Sequence, residues 1–217
     1  MIPIIDTHQH LWDLKSLSLN WVKGDKVMDH SYLMSDYLEA SKGTGIEQTV
    51  YMEVNVNPEC VEDEIQQMSD HCASSQTPMR KMVIAGNPSS PEFESFLNKH
   101  TQNQFVRGLR WVLHIPETKP GHCLQAGFIQ GIQEMGRREL LFDICIRPSE
   151  LSDATKLVAA CPETTFVIDH CGNADPHIVN GEKDLGDAHD GSPFWHTAKG
   201  WKEDIAALGA LPNTFCE

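Results

Sequence analysis

Three observations in this 217-residue chain predict an α/β fold made of βα units on a parallel sheet. Seven short runs rich in Val, Ile and Phe alternate with segments of helical periodicity. The runs start roughly 25 to 48 residues apart, and most end in Gly, Pro, Asn or His. Strands and helices alternating at this spacing leave two architectures, a (β/α) barrel and a doubly wound sheet. No GxGxxG follows the first run and no P-loop occurs, which weakens the nucleotide-binding form of the second.

The predicted strands are 2–10, 48–56, 81–88, 106–114, 140–148, 165–172 and 213–217. Helix signals lie between them. Asn57-Pro58 offers a cap and a first-turn Pro, and Val61, Ile65, Met68 and Cys72 then recur at helical spacing. Ser90-Pro91 starts a second helix with Phe93, Phe96 and Leu97 on one face. Phe128, Ile132 and Met135 mark a third. Ser149 is expected to cap a fourth that carries Leu151, Ala154, Leu157, Val158 and Cys161, and Trp201, Ile205 and Leu208 mark a late one. The longest stretch without periodicity, 173–194, follows the sixth strand. A loop of that length in a compact domain is usually functional.

Length favours one domain over residues 1–217. Seventeen basic against 31 acidic residues give a net charge of −14. That balance argues against nucleic acid and anionic membrane as partners, since both need Lys and Arg to neutralise phosphate. A small molecule is the expected partner, and a homo-oligomer remains open. No apolar run approaches the ~18 residues of a membrane helix. The start, MIPIIDTHQH, lacks the basic and apolar regions of a secretory signal. Seven scattered cysteines with no CxxC read as reduced thiols in a cytoplasmic protein. They are expected to act as small hydrophobes, with Cys171 the one placed to lie near a metal.

Asp6-Thr7-His8-Gln9-His10 carries the strongest chemical signal. Residues i and i+2 of a strand share a face, so His8 and His10 project together at the end of strand 1. Two imidazoles on one face are half of a divalent-metal site. Two surface histidines at a strand end is the plainer reading of a bare HxH. A third candidate, His170, ends strand 6 in VIDHCG. On strand 4, Arg110 shares a face with Val112 and His114, opposite Leu109, Trp111 and Leu113. If the apolar set faces outer helices, Arg110 and His114 face the barrel, where Arg suits a carboxylate or a developing oxyanion. The competing reading is a structural ion pair of Arg110 with Glu53 or Asp143. Glu53 and Asp143 are themselves acids inside strands, fit either to bind substrate or to pair. Trp12 and Trp21 follow strand 1; Trp12 could wall a pocket, and packing suits Trp21. His177, His189 and His196 are expected in solvent, as is the acidic stretch 182–187.

Strand 1 with IDTHQHLWD, strand 4 with VRGLRW, strand 5 with FDICIRP and strand 6 with FVIDHCGN resemble the amidohydrolase superfamily. Within it they resemble the predicted metal-dependent TIM-barrel hydrolases that include sugar-lactone and pyrone-dicarboxylate lactonases. The resemblance spans nearly the whole chain; Ala174 stands where the DHxGxP-like segment usually has Pro. It implies a TIM (β/α)8 barrel with His8, His10 and His170 as ligands of a divalent metal, Zn or Mn, although it also admits a metal-independent variant. The family usually adds an Asp at the end of strand 8, and no residue here matches it, so the catalytic base is unassigned.

The implied activity is metal-dependent hydrolysis of a lactone or related cyclic ester, with a carboxylate-bearing substrate suited to Arg110. Glu53, His114, Asp143 and Trp12 are the other candidate substrate contacts. A non-oxidative decarboxylase of the same superfamily is the alternative, and a non-catalytic or incomplete chain is a third reading. A closed barrel takes about 250 residues and eight strands. The chain supplies six strands and the opening of a seventh, so the expectation is a barrel truncated within strand 7, its last strands and helices missing.

Overall fold

The computed structural model describes residues 2–183, 192 and 194–217. Seven strands form a sheet whose order follows the sequence from first to last. A doubly wound sheet reverses its strand order at a switch point. Sequential order with a crossover between parallel neighbours is the barrel arrangement. The chain divides into two compact units, Met1–Ala85 with Asn103–Gly108, and Gly86–Gln102 with Leu109–Glu217.

The first unit holds β1 (Ile4–Gln9), α1 (Met34–Ala40), β2 (Ile46–Met52), α2 (Val61–Ala73) and β3 (Met79–Ala85). β1 pairs in parallel with β2, and β2 with β3. Their C-terminal ends therefore lie along one edge. Tyr51, Met52, Met82 and Ile84 are buried in the strands, and Ile65, Met68 and Cys72 of α2 supply the expected apolar face. Asn57 does not cap α2. A 3-10 turn, Pro58–Cys60, comes first, and the α-helix begins at Val61. α1 carries no strong periodicity and is absent from the sequence reading; Asp36 secures its start by accepting the Leu33 N–H at 2.7 Å. Ile4 and Ile5 of β1 are exposed.

The second unit holds α3 (Phe93–His100), α4 (Ala126–Arg137), β5 (Leu141–Cys145), α5 (Leu151–Ala160) and β6 (Phe166–Ile168). It continues with α6 (His170–Asn173), α7 (Pro176–Val179), α8 (Ala198–Gly209) and β7 (Thr214–Cys216). β4 (Val106–Val112) contributes its first three residues to the first unit and the rest to the second. β5, β6 and β7 pair in parallel, Phe142 opposite Phe166 and Phe166 opposite Thr214. Phe128, Phe142 and Phe166 stack edge to face with centroids 5.7 and 6.4 Å apart. α4 lies against the segment after β3 so closely that a Cβ on Gly131 would sit 2.3 Å from the Pro88 carbonyl.

Several expectations need correction. Ser149 does not cap α5: Pro148–Glu150 form a 3-10 turn and the helix starts at Leu151. β6 stops at Ile168, not 172: Asp169 is still extended, but His170 to Asn173 turn to positive φ. The 173–194 stretch is not irregular throughout. Asp175 accepts the His177 N–H at 2.9 Å, and Pro176 opens the short helix α7. Of the acidic stretch, Glu182 and Lys183 are exposed, while 184–187, like His189, lie outside the described residues.

Candidate active site

In the first unit, β1 delivers His8 and Gln9, and His10 follows directly. His8 Nε2 and His10 Nε2 lie 3.0 Å apart with their rings edge to face. Two imidazole ligands at ~2.0–2.1 Å on a tetrahedral ion stand about 3.3 Å apart, so the pair is within a small ring movement of ligand geometry. His10 Nδ1 lies 2.9 Å from the Met52 carbonyl at the end of β2. A carbonyl can only accept, so Nδ1 carries the proton and the Nε2 lone pair of neutral His10 points at its partner. The strand alternation that predicts a shared face is therefore sharpened by a fixed tautomer.

Glu53, next after β2, is buried, and its Oε2 accepts the Asn55 N–H at 2.6 Å; Asn55 has φ +50°. Another acid governs this turn. Glu64 of α2 is buried, and its Oε1 accepts from the Tyr51 hydroxyl at 2.8 Å and the Val54 N–H at 2.9 Å. Sequence reasoning missed Glu64, although it lies four residues before Met68 on the apolar stripe, which is where a partnered buried acid would be sought. Trp12 is 5% exposed; its indole donates to the His30 carbonyl at 2.8 Å, and its ring meets Tyr32 and Trp21 edge on. Trp21 is 47% exposed and donates to the Val54 carbonyl. The Tyr37 hydroxyl donates to Asp6 Oδ2 at 2.6 Å, and burial plus this carboxylate push the phenol pKa far up.

In the second unit, Arg110 on β4 is buried, and its Nη1 meets Asp169 Oδ2 at 3.1 Å with both side chains almost wholly out of solvent. Sequence reasoning offered Glu53 and Asp143 as partners and passed over Asp169, whose one signal is its place before His170. Asp143 is buried on β5. His114 lies past the end of β4, its ring 5.2 Å from that of Phe194. Burial, then the Arg110 and Arg147 charges, hold its pKa below the usual imidazole value. Arg147 braces the loop that carries His114. Its Nη1 pairs with Glu150 at 2.7 Å, and its Nη2 donates to the Ile115 and Thr118 carbonyls at 2.7 and 2.6 Å.

His170 sits not on a strand but in a left-handed turn: His170, Cys171, Gly172 and Asn173 have φ of +48°, +52°, +76° and +56°. Such a run stores strain that the surroundings must impose. The Asn173 Nδ2 donates to the Ile146 carbonyl at 2.9 Å, which turns its Oδ1 toward His170 Nδ1 at 3.1 Å. His170 Nδ1 thus carries the proton, and Nε2 is left as the lone-pair nitrogen, as in His10. Of the outlying histidines, His177 is exposed and paired with Glu182. His196, expected in solvent, is buried instead: Nδ1 donates to the Phe194 carbonyl, and Nε2 accepts the Asp175 N–H.

The amidohydrolase family model matches residues 5–217, so the chain belongs to the amidohydrolase family. Among solved structures, it is similar to amidohydrolase 2 from Bifidobacterium longum subsp. infantis at 26% identity and a TM-score of 0.71, covering 100% of this chain and 72% of that one. A Burkholderia multivorans amidohydrolase solved with bound zinc is 17% identical with a TM-score of 0.76, over 99% of this chain and 69% of that one. A probable 2-pyrone-4,6-dicarboxylic acid hydrolase from Acinetobacter baumannii, with citric acid bound, is 14% identical with a TM-score of 0.67 over the same shares. These likenesses establish the fold as the TIM-barrel type. Family membership supports an enzyme acting on small molecules. No helix among the described residues is long and apolar enough to cross a membrane.

Proposed function

We propose that the protein is a metal-dependent hydrolase that opens a lactone or related cyclic ester, with His8, His10 and His170 holding one divalent cation, Zn or Mn. The reading takes residues 1–217 as part of one barrel domain, a fold whose active-site residues come from the C-terminal ends of its strands. The observation that carries it is the His8–His10 pair: Nε2 atoms 3.0 Å apart, with the His10 Nδ1 proton committed to Met52. His170 supports it with the same tautomer, imposed by Asn173. The donor set is three imidazoles, those of His10 and His170 with Nδ1 tied to a carbonyl oxygen, and it suits Zn or Mn. The zinc-bound and pyrone-hydrolase neighbours favour the same reading.

A cation bound there would lower the pKa of a bound water toward 7 and polarise the ester carbonyl. The chain's own residues do the rest. Arg110, its guanidinium fixed by Asp169, presents a planar set of donors suited to a substrate carboxylate. His114, held neutral beside two arginines, can donate or accept a hydrogen bond without adding charge. On this reading Glu53 and Asp143 accept from substrate hydroxyls, and Trp12 walls the pocket.

The test combines metal analysis with a substrate panel. Protein stripped by chelator should take up about one equivalent of Zn or Mn, and His8→Ala should lose it. Aldonolactones and pyrone dicarboxylates should then release acid in a pH-indicator assay. Unchanged metal uptake by His8→Ala overturns the ligand assignment. CO2 release from aromatic or enoic acids, with inert lactones, replaces the hydrolase by the decarboxylase alternative.

A further inference from the structure

Five of the seven cysteines are buried, and the two exposed ones, Cys171 and Cys216, are neighbours in space though 45 positions apart in sequence. Their Sγ atoms lie 3.8 Å apart. We propose that these two thiols are a modification site that closes to a reversible intrachain disulfide when the protein meets a peroxide or a small-molecule disulfide.

The backbone around both residues is already held in place. Cys216 ends β7 opposite Ile168 of β6. The Glu217 N–H reaches the Ile168 carbonyl at 3.3 Å, and the Cys171 N–H reaches the Glu217 carbonyl at 3.1 Å. Trp201 of α8 donates its indole N–H to the Cys171 carbonyl at 2.8 Å. Each cysteine is thus fixed at its main chain, while its sulfur is open to solvent. The sulfurs have to close from 3.8 Å to the ~2.05 Å of a disulfide. The other five thiols lack this combination of exposure and partner. Those five are buried, so a peroxide in solvent does not reach their sulfurs as it reaches Cys171 and Cys216.

With hydrogen peroxide the reaction balances in two steps. One cysteine thiolate attacks the peroxide O–O bond, forms a sulfenic acid and releases hydroxide, which takes up the thiol proton as water. The second sulfur attacks the sulfenic sulfur and expels a second water. Two thiols and one peroxide become a disulfide and two waters, with two electrons passing from the sulfurs to the peroxide. The bond would tie the left-handed turn that carries His170 to β7. This inference stands on the two thiols alone and does not depend on the proposed hydrolase activity.

The test uses the full chain, reduced, freed of reductant, treated with equimolar hydrogen peroxide, alkylated with iodoacetamide and digested. Mass spectrometry should find peptides carrying Cys171 and Cys216 joined, two hydrogens lighter than their sum, and separated again by reductant. Cys60, Cys72, Cys123, Cys145 and Cys161 should remain free thiols. Cys216→Ser should abolish the linked species and leave Cys171 labelled by a sulfenic acid probe, and Cys171→Ala should abolish it too. Circular dichroism melts of both variants establish that they are folded. Recovery of Cys171 and Cys216 as separate sulfinic acids, or linked only between chains on a non-reducing gel, overturns the proposal. So does an intrachain disulfide that persists in Cys216→Ser.

Discussion

Asn173 Oδ1 lies 3.1 Å from His170 Nδ1, inside the left-handed turn that follows β6. Because the Asn173 amide nitrogen is committed to the Ile146 carbonyl at 2.9 Å, the amide cannot flip without losing both bonds. The turn thus sets which His170 nitrogen keeps its lone pair. Asn173→Ala should weaken Zn uptake by about 10- to 100-fold, the effect of removing an outer partner of a ligand histidine. Chelator competition reads the loss. An unchanged zinc affinity in a folded variant would detach this turn from the metal site.

Gly172 occupies the third position of the same turn with φ +76°, and a Cβ there would meet Leu151 Cδ2 at 2.7 Å. Gly172→Ala combines a left-handed penalty with a clash against a fully buried side chain. It should destabilise the protein by about 1–3 kcal/mol, read as a lower urea midpoint with unchanged slope.

The Arg110–Asp169 pair is buried on both sides. Removing one partner takes a buried opposite charge from the other, which costs about 3–5 kcal/mol. Arg110→Met should show that loss in urea unfolding. The double variant Arg110→Met/Asp169→Asn should recover a substantial part of it, because no net charge is then left buried. A single variant as stable as the parent would show that Asp169 is neutral or otherwise compensated.

His114 bears on pH dependence. Burial and the two arginine charges depress its folded-state pKa below the ordinary 6.5. As pH falls through 6.5 the unfolded chain takes up a proton that the folded chain refuses. The unfolded state then binds more protons, so stability falls as pH drops and levels off below the folded pKa. His114→Gln should flatten the stability profile between neutral pH and about pH 5, leaving the contribution of His71, whose pKa burial also lowers. NMR of the His114 Cε1 proton should show a midpoint below the ordinary histidine range.

Tyr51 and Glu64 tie β2 to α2 through a 2.8 Å hydrogen bond between buried groups. Tyr51→Phe keeps the ring and deletes the donor. It should cost about 1–3 kcal/mol in thermal or urea unfolding, and Glu64→Gln, which retains an acceptor, should cost less.

Sequence alone determined the parts that depend on local pattern. Runs of β-branched and aromatic residues placed all seven strands within a few positions of where they pair. The apolar stripe of α2 and the helix carrying Leu151, Leu157 and Val158 were legible because side-chain direction repeats every few residues along a helix. The same logic put His8 and His10 on one face. The resemblance carried by the histidine motifs pointed to the barrel, which the sequential strand order bears out.

Only the tertiary structure decided the pairings. Arg110 meets an acid 59 residues away, Glu64 meets a strand tyrosine, and Asn173 meets a carbonyl beyond the end of β5. No local period encodes such contacts, since they depend on how separate elements pack. The left-handed turn at 170–173 was hidden for a related reason: three of its residues are not glycine, and only surrounding contacts hold them at positive φ. His196 shows the same limit, because its burial follows from the backbone groups of Phe194 and Asp175 that fold against it. Sequence pattern named the residue types capable of chemistry, and packing set their protons, partners and charges.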